Sequence, residues 1–486
     1  MNAYRAVTAA LLLAALAPTT ACSALQHNSD DSPGHAVASS GTPAGSATAP
    51  AQGLQVANDS SEGADCRWAA AYPVYPGADA LSAAMKADIQ KRVPAFLTAA
   101  DSRSRCPVGM EANIAFDTLV ASGNVVGVRL TTQDYTSVNS GLNTRDYWYD
   151  GATKTGTSPL ALIADAKTDT FAALLSQKLK GRPGLLVDNF SDPAQRAGLL
   201  TNLYFRRNGD LVVYFDQGTI AAPAVGVVQL VLPKAQVLPL LSDFGRRAQQ
   251  QTISPSGKLD LGASSPAVPA LPSTQPAPTE ADCLKVKCVA LTFDDGPGPY
   301  TAKLLGILAK YQAHATFFTV GQNVAASPEL VRAEAAAGDE VGNHSWNHPD
   351  LTRLTAAQIR DQITRTSDAV KAATGAAPTL LRPPYGAVNT TVSQTADLPM
   401  VLWSIDTEDW KYPDSTKVSD AVINKARPGD VVLMHDIHPT SVAAVPRILS
   451  TLAARGYHFV TISELYASHP LKTGYAYGAF GAAYGR

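Results

Sequence analysis

Two stretches rich in Ser, Pro, Ala, Gly and Thr divide the chain and limit how much of it can fold compactly. The first, residues 23–65, has almost no large apolar side chains, so burial cannot offset the entropy that is lost on ordering it. The second, residues 249–283, is stiffened by its prolines. We therefore expect a flexible tether, a linker, two folded units at 66–248 and 284–470, and a C-terminal tail at 471–486.

Composition agrees with this division and excludes two classes of protein. Charged residues make up 16% of the 486-residue chain, against about 25% in an ordinary soluble domain, and the two stretches account for much of the difference. Lys and Arg total 39 against 41 Asp and Glu, without any basic run, so we expect no nucleic-acid partner. No internal apolar stretch reaches about 20 residues, which excludes a polytopic membrane protein.

Residues 1–22 have the pattern of a secretory signal peptide. One positive charge precedes a mostly apolar run at 6–17, which is too short to span a bilayer comfortably and is followed by small residues. Cys22 and the alanine before it are similar to the bacterial lipobox, in which the cysteine is lipidated and becomes the mature N-terminus. Thr19 stands where that box usually has leucine, so cleavage without lipidation is the alternative. We expect export, either with a lipid anchor at Cys22 on the outer face of the bacterial membrane or as a secreted protein.

The cysteine count agrees with export. If Cys22 carries a lipid, four cysteines remain, and an even number in an exported chain indicates disulfides. Pairing Cys66 with Cys106 and Cys283 with Cys288 keeps each bond within one region, although four cysteines allow three connectivities. A zinc half-site is the alternative for the second pair.

The first folded unit has the pattern of an α+β domain. Residues 84–93 form an amphipathic helical pattern, whereas 125–132 and 211–215 alternate as strands do. Around 211–241 the sequence is similar to the extracytoplasmic domain of RsiV-like proteins, with a Tyr-Phe-x-x-Gly-x-Ile-Ala core. Asp146 and Asp150 flank aromatic residues, and they either contact a sugar or lie at a solvated strand edge. We expect this unit to be a spacer or a binding module.

The second unit alternates strands with helices. Such repeated βα units favour a parallel sheet, open or closed into a barrel, with functional side chains at the carboxyl ends of its strands. The expected strands are 289–293, 315–320, 400–403, 431–434 and 458–460, and the expected helices are 301–310, 328–337, 355–374 and 442–455.

Two carboxylates follow the first of these strands, and a pair of histidines lies farther along the chain. Asp294 and Asp295 come directly after the first strand, in a DDGPG sequence that is typical of a turn. Two adjacent carboxylates can also have separate roles, with one holding a cation and the other taking a proton. His344 and His348 are four residues apart, which places both on one side of a helical turn. One carboxylate and two imidazoles form a familiar zinc set with a position left for water, although such histidines are also common at surfaces and in cores.

Three further motifs have structural alternatives of their own. Arg382 lies in RPPYG, which is also typical of a proline turn, and Asp406 begins DTEDW, which is also typical of an exposed acidic loop. His435 ends a buried apolar strand, where a histidine can be held by structural hydrogen bonds alone. No single one of these motifs indicates a function.

Taken in order, TFDDGP, HSWNH, RPPYG, DTEDW and LMH resemble the five motifs of the polysaccharide deacetylases of carbohydrate esterase family 4, the NodB-homology domain. The resemblance runs from about residue 288 to residue 466. It implies a distorted (β/α) barrel that removes N-acetyl or O-acetyl groups from sugars with a divalent metal, zinc first and cobalt or manganese as alternatives.

The resemblance also assigns roles by motif position. The family often has a basic residue between the acids of the fourth motif, whereas this chain has Glu408, which changes the expected charge of the groove wall. The resemblance implies that Asp295, His344 and His348 are metal ligands, that Asp294 is the general base and that His435 is the general acid. It implies that Arg382 orients Asp294 and that Asp406 orients His435. The backbone N–H of Tyr385 would stabilise the oxyanion, and Trp410 and Leu433 would form the walls of the acetyl pocket.

These observations predict a tethered, metal-dependent hydrolase that removes N-acetyl groups from the N-acetylhexosamine units of peptidoglycan and releases acetate. It would cleave carbon–nitrogen amide bonds other than peptide bonds and act as a monomer on a cell-wall glycan. An acetylxylan esterase or a chitooligosaccharide deacetylase is the alternative enzyme. A non-catalytic glycan-binding lipoprotein is the alternative from a different class.

Overall fold

The chain is described by a computed structural model over residues 54–61, 67–101, 111–134, 141–187, 190–262, 281–478 and 483–484. These residues all belong to one compact unit. We call residues 54–262 the N-terminal lobe and residues 281–484 the C-terminal lobe. The predictions for the leader at 1–22, for Cys22 and for the Cys66–Cys106 disulfide lie outside the described residues.

The N-terminal lobe is built around a six-stranded sheet with the strands in sequence order. The second and third strands are parallel, and the other neighbouring pairs are antiparallel. The first helix packs on this sheet. A second sheet has three antiparallel strands. The strands are β1 (Gln55–Ser61), β2 (Arg67–Val74), β3 (Glu111–Ser122), β4 (Val125–Asp134), β5 (Gly141–Asp150), β6 (Thr155–Thr157), β7 (Leu203–Phe205), β8 (Leu211–Phe215) and β9 (Val228–Leu232), and the helices are α1 (Asp79–Asp101), α2 (Thr168–Leu179), α3 (Pro193–Leu199), α4 (Lys234–Val237) and α5 (Asp243–Ile253).

Large apolar side chains join the two sheets of this lobe. Trp148, Phe171 and Phe215 are fully or almost fully buried in one cluster, and Trp148 meets Phe244 edge-on with 6.0 Å between ring centroids. Such aromatic packing contributes most of the hydrophobic stabilisation of a small core. The arrangement is α+β, as the alternating strands and the amphipathic helix predict.

The tether prediction for 23–65 is wrong at its end, because residues 55–61 form strand β1. This strand pairs antiparallel with β2. Val56 of this strand is buried in the core of the lobe, and so is Leu54, which precedes the strand. Few residues in β1 have strong strand preference, so its structure depends on the partner strand and the buried face more than on its own composition.

The boundaries of the linker and of the tail also differ from the sequence prediction. Helix α5 continues to Ile253, and Leu261 is buried among the core residues of the N-terminal lobe, so the first part of the expected linker at 249–283 is folded. At the other end, Ala476 and Tyr477 pair with a strand of the C-terminal lobe. The tail at 471–486 therefore contributes to that fold.

The C-terminal lobe contains a parallel sheet in the strand order β12-β11-β10-β15-β14, with β16 beside β10. The central strands are buried along their length, which explains their almost continuous apolar sequences. Single-residue bridges continue from Asn343 through Leu381 to Met400. The strands are β10 (Lys287–Asp294), β11 (Ala315–Thr319), β12 (Glu340–Asn343), β13 (Met400–Val401), β14 (Ile405–Asp406), β15 (Val431–His435), β16 (Tyr457–Phe459), β17 (Ala476–Tyr477) and β18 (Ala483–Tyr484), and the helices are α6 (Thr301–Tyr311), α7 (Gly321–Ala326), α8 (Pro328–Ala336), α9 (Ala356–Thr374), α10 (Thr390–Thr395), α11 (Ser415–Lys425), α12 (Pro439–Ala454) and α13 (Ile462–Leu465).

Helix α9 shows how the local sequence sets the ends of an element. Thr355 and Gln358 form a capping box at its start, and Gly375 ends it with a φ of 87°. The hydroxyl and the amide satisfy backbone N–H groups that have no partner inside the helix, and glycine adopts the left-handed conformation without a Cβ penalty. The predicted mixed α/β class is confirmed, and the parallel strands bring the motif residues to one end of the sheet.

The predicted pairing of Cys283 with Cys288 is confirmed, which removes the zinc half-site alternative for these residues. No helix among the described residues is both long and apolar enough to cross a bilayer.

The two acids Asp146 and Asp150 are buried, so neither a sugar contact nor a solvated strand edge describes them. Asp146 forms a two-point ion pair with Arg129, at 2.7 and 2.9 Å. Burial raises the pKa of Asp146 to about 6 although Arg129 opposes the shift. Asp150 accepts a hydrogen bond from Arg247 at 2.6 Å. Both carboxylates therefore have structural roles in the N-terminal lobe.

Replacing Asp146 by alanine should lower the free energy of unfolding by about 3–5 kcal/mol, because Arg129 would remain buried without its carboxylate. Denaturant unfolding of the full chain measures the change. Asp243→Ala is the control: its carboxylate is 87% exposed in an ion pair with Arg246, so its removal should cost at most about 1 kcal/mol. Equal losses for the two variants would contradict the structural role of the buried pair.

Candidate active site

The motif residues lie in loops at the carboxyl ends of the parallel strands, and the backbone of these loops is unusual. Eight described non-glycine residues have a positive φ. Five of them are in the motif loops, namely Asp295, Ser345, His348, Tyr385 and Glu408. Such conformations cost about 1–3 kcal/mol each and persist only where the surroundings enforce them, which is typical of functional sites.

Three predicted metal ligands meet at this end of the sheet. Oδ1 of Asp295 lies 3.2 Å from Nε2 of His348 and 3.6 Å from Nε2 of His344. One ligand atom from each residue can be chosen so that all three lie within 4.8 Å of one another. All three side chains are buried. Two imidazoles and a carboxylate at this spacing are a ligand set that zinc accepts.

Hydrogen bonding and burial prepare these groups to bind a cation. Nδ1 of His344 donates to the backbone carbonyl of Arg382 at 2.6 Å, which leaves Nε2 directed at Asp295. Burial lowers the pKa of His344 to about 3 and also lowers the pKa of His348, so both rings are neutral at pH 7. Oδ1 of Asp295 is buried and accepts no hydrogen bond within the described part of the chain. The residues present therefore fit a divalent metal.

Asp294 lies beside the metal-ligand set and is held by a buried arginine. Arg382, which is 0% exposed, donates to Oδ1 of Asp294 at 2.8 Å and to the hydroxyl of Thr292 at 2.6 Å. Oδ2 of Asp294 lies 3.8 Å from Nε2 of His344. Burial raises the pKa of Asp294 to about 6, and Arg382 opposes the shift. A carboxylate with this pKa is suited to exchanging protons near neutral pH.

His435 is held by Asp409, so the prediction that Asp406 orients it is wrong. Nδ1 of His435 lies 2.8 Å from Oδ1 of Asp409, and Oδ2 of Asp409 accepts from the backbone N–H of His435 at 2.8 Å and from Ser441 at 2.5 Å. Burial acts to raise the pKa of Asp409, but His435, together with Ser441 and His438, outweighs it, and the pKa lies below its usual range. Asp406 instead accepts a hydrogen bond from the backbone N–H of Glu408 at 2.7 Å.

The remaining predicted residues are placed around these groups. The ring of Tyr385 meets that of His348 edge-on, with 4.7 Å between centroids, and its backbone has a φ of 61°. Leu433 is buried in β15, where it is paired with Asp406. The indole nitrogen of Trp410 is buried. The roles of these three residues toward a substrate stay predictions.

The comparison with known proteins shows the family. Residues 281–401 match the family model described as polysaccharide deacetylase. The chain is 36% identical over 211 residues to a peptidoglycan-N-acetylglucosamine deacetylase of Bacillus cereus, a match that covers 40% of this chain and 77% of that protein. This chain belongs to the polysaccharide deacetylase family. The resemblance that was inferred from the five motifs is thereby confirmed.

Two further peptidoglycan deacetylases are similar to this chain. The peptidoglycan-N-acetylglucosamine deacetylase PgdA of Listeria monocytogenes is 45% identical over 197 residues, which cover 40% of this chain and 42% of that protein. The peptidoglycan-N-acetylmuramic acid deacetylase PdaC of Bacillus subtilis is 37% identical over 254 residues, 52% of each chain. The chain thus spans about half the length of these relatives.

Sequence reasoning missed the residues that reach the candidate site from the N-terminal lobe. The hydroxyl of Ser60 donates to Oδ2 of Asp295 at 3.0 Å, and the amide of Asn58 donates to the backbone carbonyl of Asp295 at 2.9 Å. Asn113 donates to the backbone carbonyl of His348 at 2.9 Å. The donors are more than 230 positions away from their acceptors, and no local sequence signal distinguishes Ser60 from a tether serine.

Proposed function

We propose that this chain is a metal-dependent hydrolase that removes N-acetyl groups from the N-acetylhexosamine units of peptidoglycan and releases acetate. One observation carries the proposal: the Asp295, His344 and His348 cluster lies beside a buried carboxylate, Asp294, that Arg382 positions. This arrangement supplies a cation site and a proton acceptor at one end of the sheet. Membership of the polysaccharide deacetylase family and two similar peptidoglycan deacetylases support the choice of substrate.

An acetamide carbonyl is a poor electrophile, and the reaction must both activate water and release an amine. A divalent metal held by Asp295, His344 and His348 would polarise the acetyl carbonyl and lower the pKa of water. Asp294 takes the proton of the attacking water with Oδ2, since Arg382 binds Oδ1 and Oδ2 lies on the side of His344, 3.8 Å from its Nε2. Arg382 thus fixes the orientation of the Asp294 carboxylate, and that carboxylate accepts the proton.

The amine cannot leave as an anion, so a proton must reach its nitrogen. We assign this step to Nε2 of His435, because Nδ1 of that ring is bound to the ionised Asp409. The carboxylate holds the ring in one tautomer and stabilises its protonated form. Asp409 therefore acts through His435 as a positioning residue.

Charge on the carbonyl oxygen in the transition state requires donors that are already in place. We assign one such donor to the backbone N–H of Tyr385, and such a group contributes about 10²–10³-fold to the rate. Trp410 and Leu433 are assigned to the walls of the acetyl pocket. These three assignments follow the motif positions of the family.

Zinc is the metal that we propose, because the set of two neutral imidazoles and one carboxylate is typical of open zinc sites. Cobalt and manganese are the alternatives. We further propose that the parallel sheet closes as a distorted (β/α) barrel. The bridges from Asn343 through Leu381 to Met400 lead from β12 toward β13, and only three residues lie between β13 and β14 in the chain.

We propose that the protein is exported and held at the outer face of the cell membrane by a lipid on Cys22, as a monomer. The leader at 1–22 and the small polar residues that follow it support this proposal. A long attachment suits an enzyme whose substrate is an immobile polymer outside the membrane. The resemblance of residues 211–241 to RsiV-like domains is consistent with an extracytoplasmic location.

Acetate release by the full chain tests the proposal. The purified protein, loaded with Zn²⁺, is incubated with peptidoglycan, chitin oligomers and acetylated xylan, and the released acetate is measured. We expect the fastest release from peptidoglycan, its loss with a chelator and its return when Zn²⁺ is restored. Release only from xylan or from chitin oligomers would contradict the proposed substrate.

No release from any of the three polymers would contradict the proposed hydrolase itself. Sedimentation of the protein with insoluble peptidoglycan would then distinguish the glycan-binding alternative. For an active enzyme, mass spectrometry of the digested product shows whether N-acetylglucosamine or N-acetylmuramic acid has lost its acetyl group.

A further inference from the structure

The edge strand of the N-terminal lobe lies directly against a metal ligand of the C-terminal lobe. Ser60, near the end of β1, is 3% exposed, and its hydroxyl donates to Oδ2 of Asp295 at 3.0 Å. The other oxygen of that carboxylate, Oδ1, faces His348 and His344 at 3.2 and 3.6 Å. The hydrogen bond from Ser60 therefore fixes which oxygen of Asp295 faces the imidazoles.

The backbone of Asp295 is held from the same side. Its carbonyl accepts hydrogen bonds from Asn58 of β1 at 2.9 Å and from Asn323 of α7 at 2.7 Å. The residue has a φ of 70°, a conformation that a non-glycine residue adopts only when its surroundings enforce it. Two amide donors on one carbonyl, together with the Ser60 hydroxyl on the side chain, orient the whole residue.

A second metal ligand is also held by the N-terminal lobe. Asn113 of β3 donates to the backbone carbonyls of Asn347 and His348, each at 2.9 Å. Two residues beyond His348, the backbone N–H of Asp350 donates to Glu111 at 2.8 Å. Side chains of the N-terminal lobe thus form hydrogen bonds with Asp295 and with the backbone of the loop that carries His348.

We infer that Ser60 is a positioning residue for the metal ligand Asp295, and that the N-terminal lobe completes the metal site of the C-terminal lobe. The inference rests on the proposed metal-dependent function. Partners in the outer shell of a metal site orient the ligands, and their loss typically costs about 10–100-fold in metal affinity. The N-terminal lobe therefore has a role beyond that of a spacer.

Zn²⁺ affinity of the full chain, measured by competition with a chelating dye, tests this role. Ser60→Ala should raise the Kd by about 10–100-fold. Ser60→Thr keeps the hydroxyl and should restore most of the affinity. Ser61→Ala is the matched control, because Ser61 is the next residue of the same strand, half-buried on the opposite face. It should bind Zn²⁺ as the unchanged chain does.

The visible absorption spectrum of bound Co²⁺ is the second readout, since it reports ligand geometry and does not depend on turnover. We expect a changed spectrum for Ser60→Ala and unchanged spectra for Ser60→Thr and Ser61→Ala. Thermal unfolding of each metal-free variant shows whether the fold is kept. Asn58→Ala, which removes a donor to the Asp295 carbonyl, gives an independent variant and should also weaken binding.

The outcomes separate this inference from the proposed function. Wild-type affinity and an unchanged Co²⁺ spectrum in a folded Ser60→Ala chain would overturn the inference alone. Failure of the unchanged chain to bind Zn²⁺ would overturn the proposed metal-dependent function, and the inference with it. Equal weakening by Ser60→Ala and Ser61→Ala would show a general effect of β1 and would also overturn the specific role of Ser60.

Discussion

Substitution of Asp294 by asparagine is expected to lower acetate release by about 10²–10⁴-fold, which is the usual contribution of a general base. Asparagine has nearly the same shape, and its carbonyl oxygen can still accept the hydrogen bond from Arg382. It cannot take a proton from water, so the loss should fall on kcat. Initial rates on peptidoglycan at saturating Zn²⁺ measure the effect.

Zn²⁺ affinity provides the internal control for this variant. Because Asp295, His344 and His348 are the proposed ligands, the Kd for Zn²⁺ should stay near that of the unchanged chain. Asp368→Asn, a change of the same kind at an exposed position of α9, should leave both kcat and the Kd unchanged. Acetate release by Asp294→Asn at the wild-type rate would falsify the assignment of Asp294 as the base.

Substitution of Asp409 by asparagine is also expected to lower kcat by about 10²–10⁴-fold, as expected for loss of general acid catalysis. Asp409 accepts hydrogen bonds from Nδ1 and from the backbone N–H of His435 with its two oxygens. An amide has only one oxygen, and its NH₂ group would face one of these donors. The ring of His435 would lose the tautomer and orientation that proton transfer requires.

The comparison with Asp406→Asn makes this prediction specific. Asp406 accepts from the backbone N–H of Glu408, and asparagine can keep that bond, so its effect on kcat should be far smaller. Because Asp409 acts through His435, the double variant Asp409→Asn/His435→Ala should be no slower than His435→Ala alone. A larger loss for Asp406→Asn than for Asp409→Asn would restore the role that the motif alone assigns to Asp406.

The sequence predicted the catalytic end of the sheet well, for a physical reason. Buried parallel strands have almost continuous apolar sequences, and the polar residues that follow them must meet at one edge. Asp294 and His435 end the adjacent strands β10 and β15 and are paired in register. The positions of Asp294, Asp295 and His435 could therefore be predicted from strand ends. The candidate metal ligands His344 and His348 were predicted from their spacing and from the motif order, because strand β12, which precedes them, was not among the predicted strands.

The partner of His435 could not be chosen from the sequence in the same way. Asp406 and Asp409 belong to one motif and are three residues apart. Which of them reaches the imidazole depends on the turn between them, where Glu408 has a φ of 52°. Nothing in the local sequence requires this conformation of a glutamate.

Contacts between the lobes were the other feature that sequence reasoning missed. Residues 55–61 read QVANDSS, a composition that is typical of a tether. The strand exists because β2 supplies its hydrogen bonds and because Leu54 and Val56 fit the core of the lobe. The contact of Ser60 with Asp295 spans 235 positions, and such pairings are fixed only by the tertiary fold.

Acetate release from peptidoglycan during a stoichiometric titration of the metal-free protein with Zn²⁺ tests the central claim most directly. The rate should rise with added metal and reach a plateau at one equivalent per chain, because one cluster of three candidate ligands is present among the described residues. In His348→Ala the same titration should leave the rate near background. A rate that is independent of Zn²⁺, or that rises equally in His348→Ala, would contradict a metal-dependent deacetylase at this site.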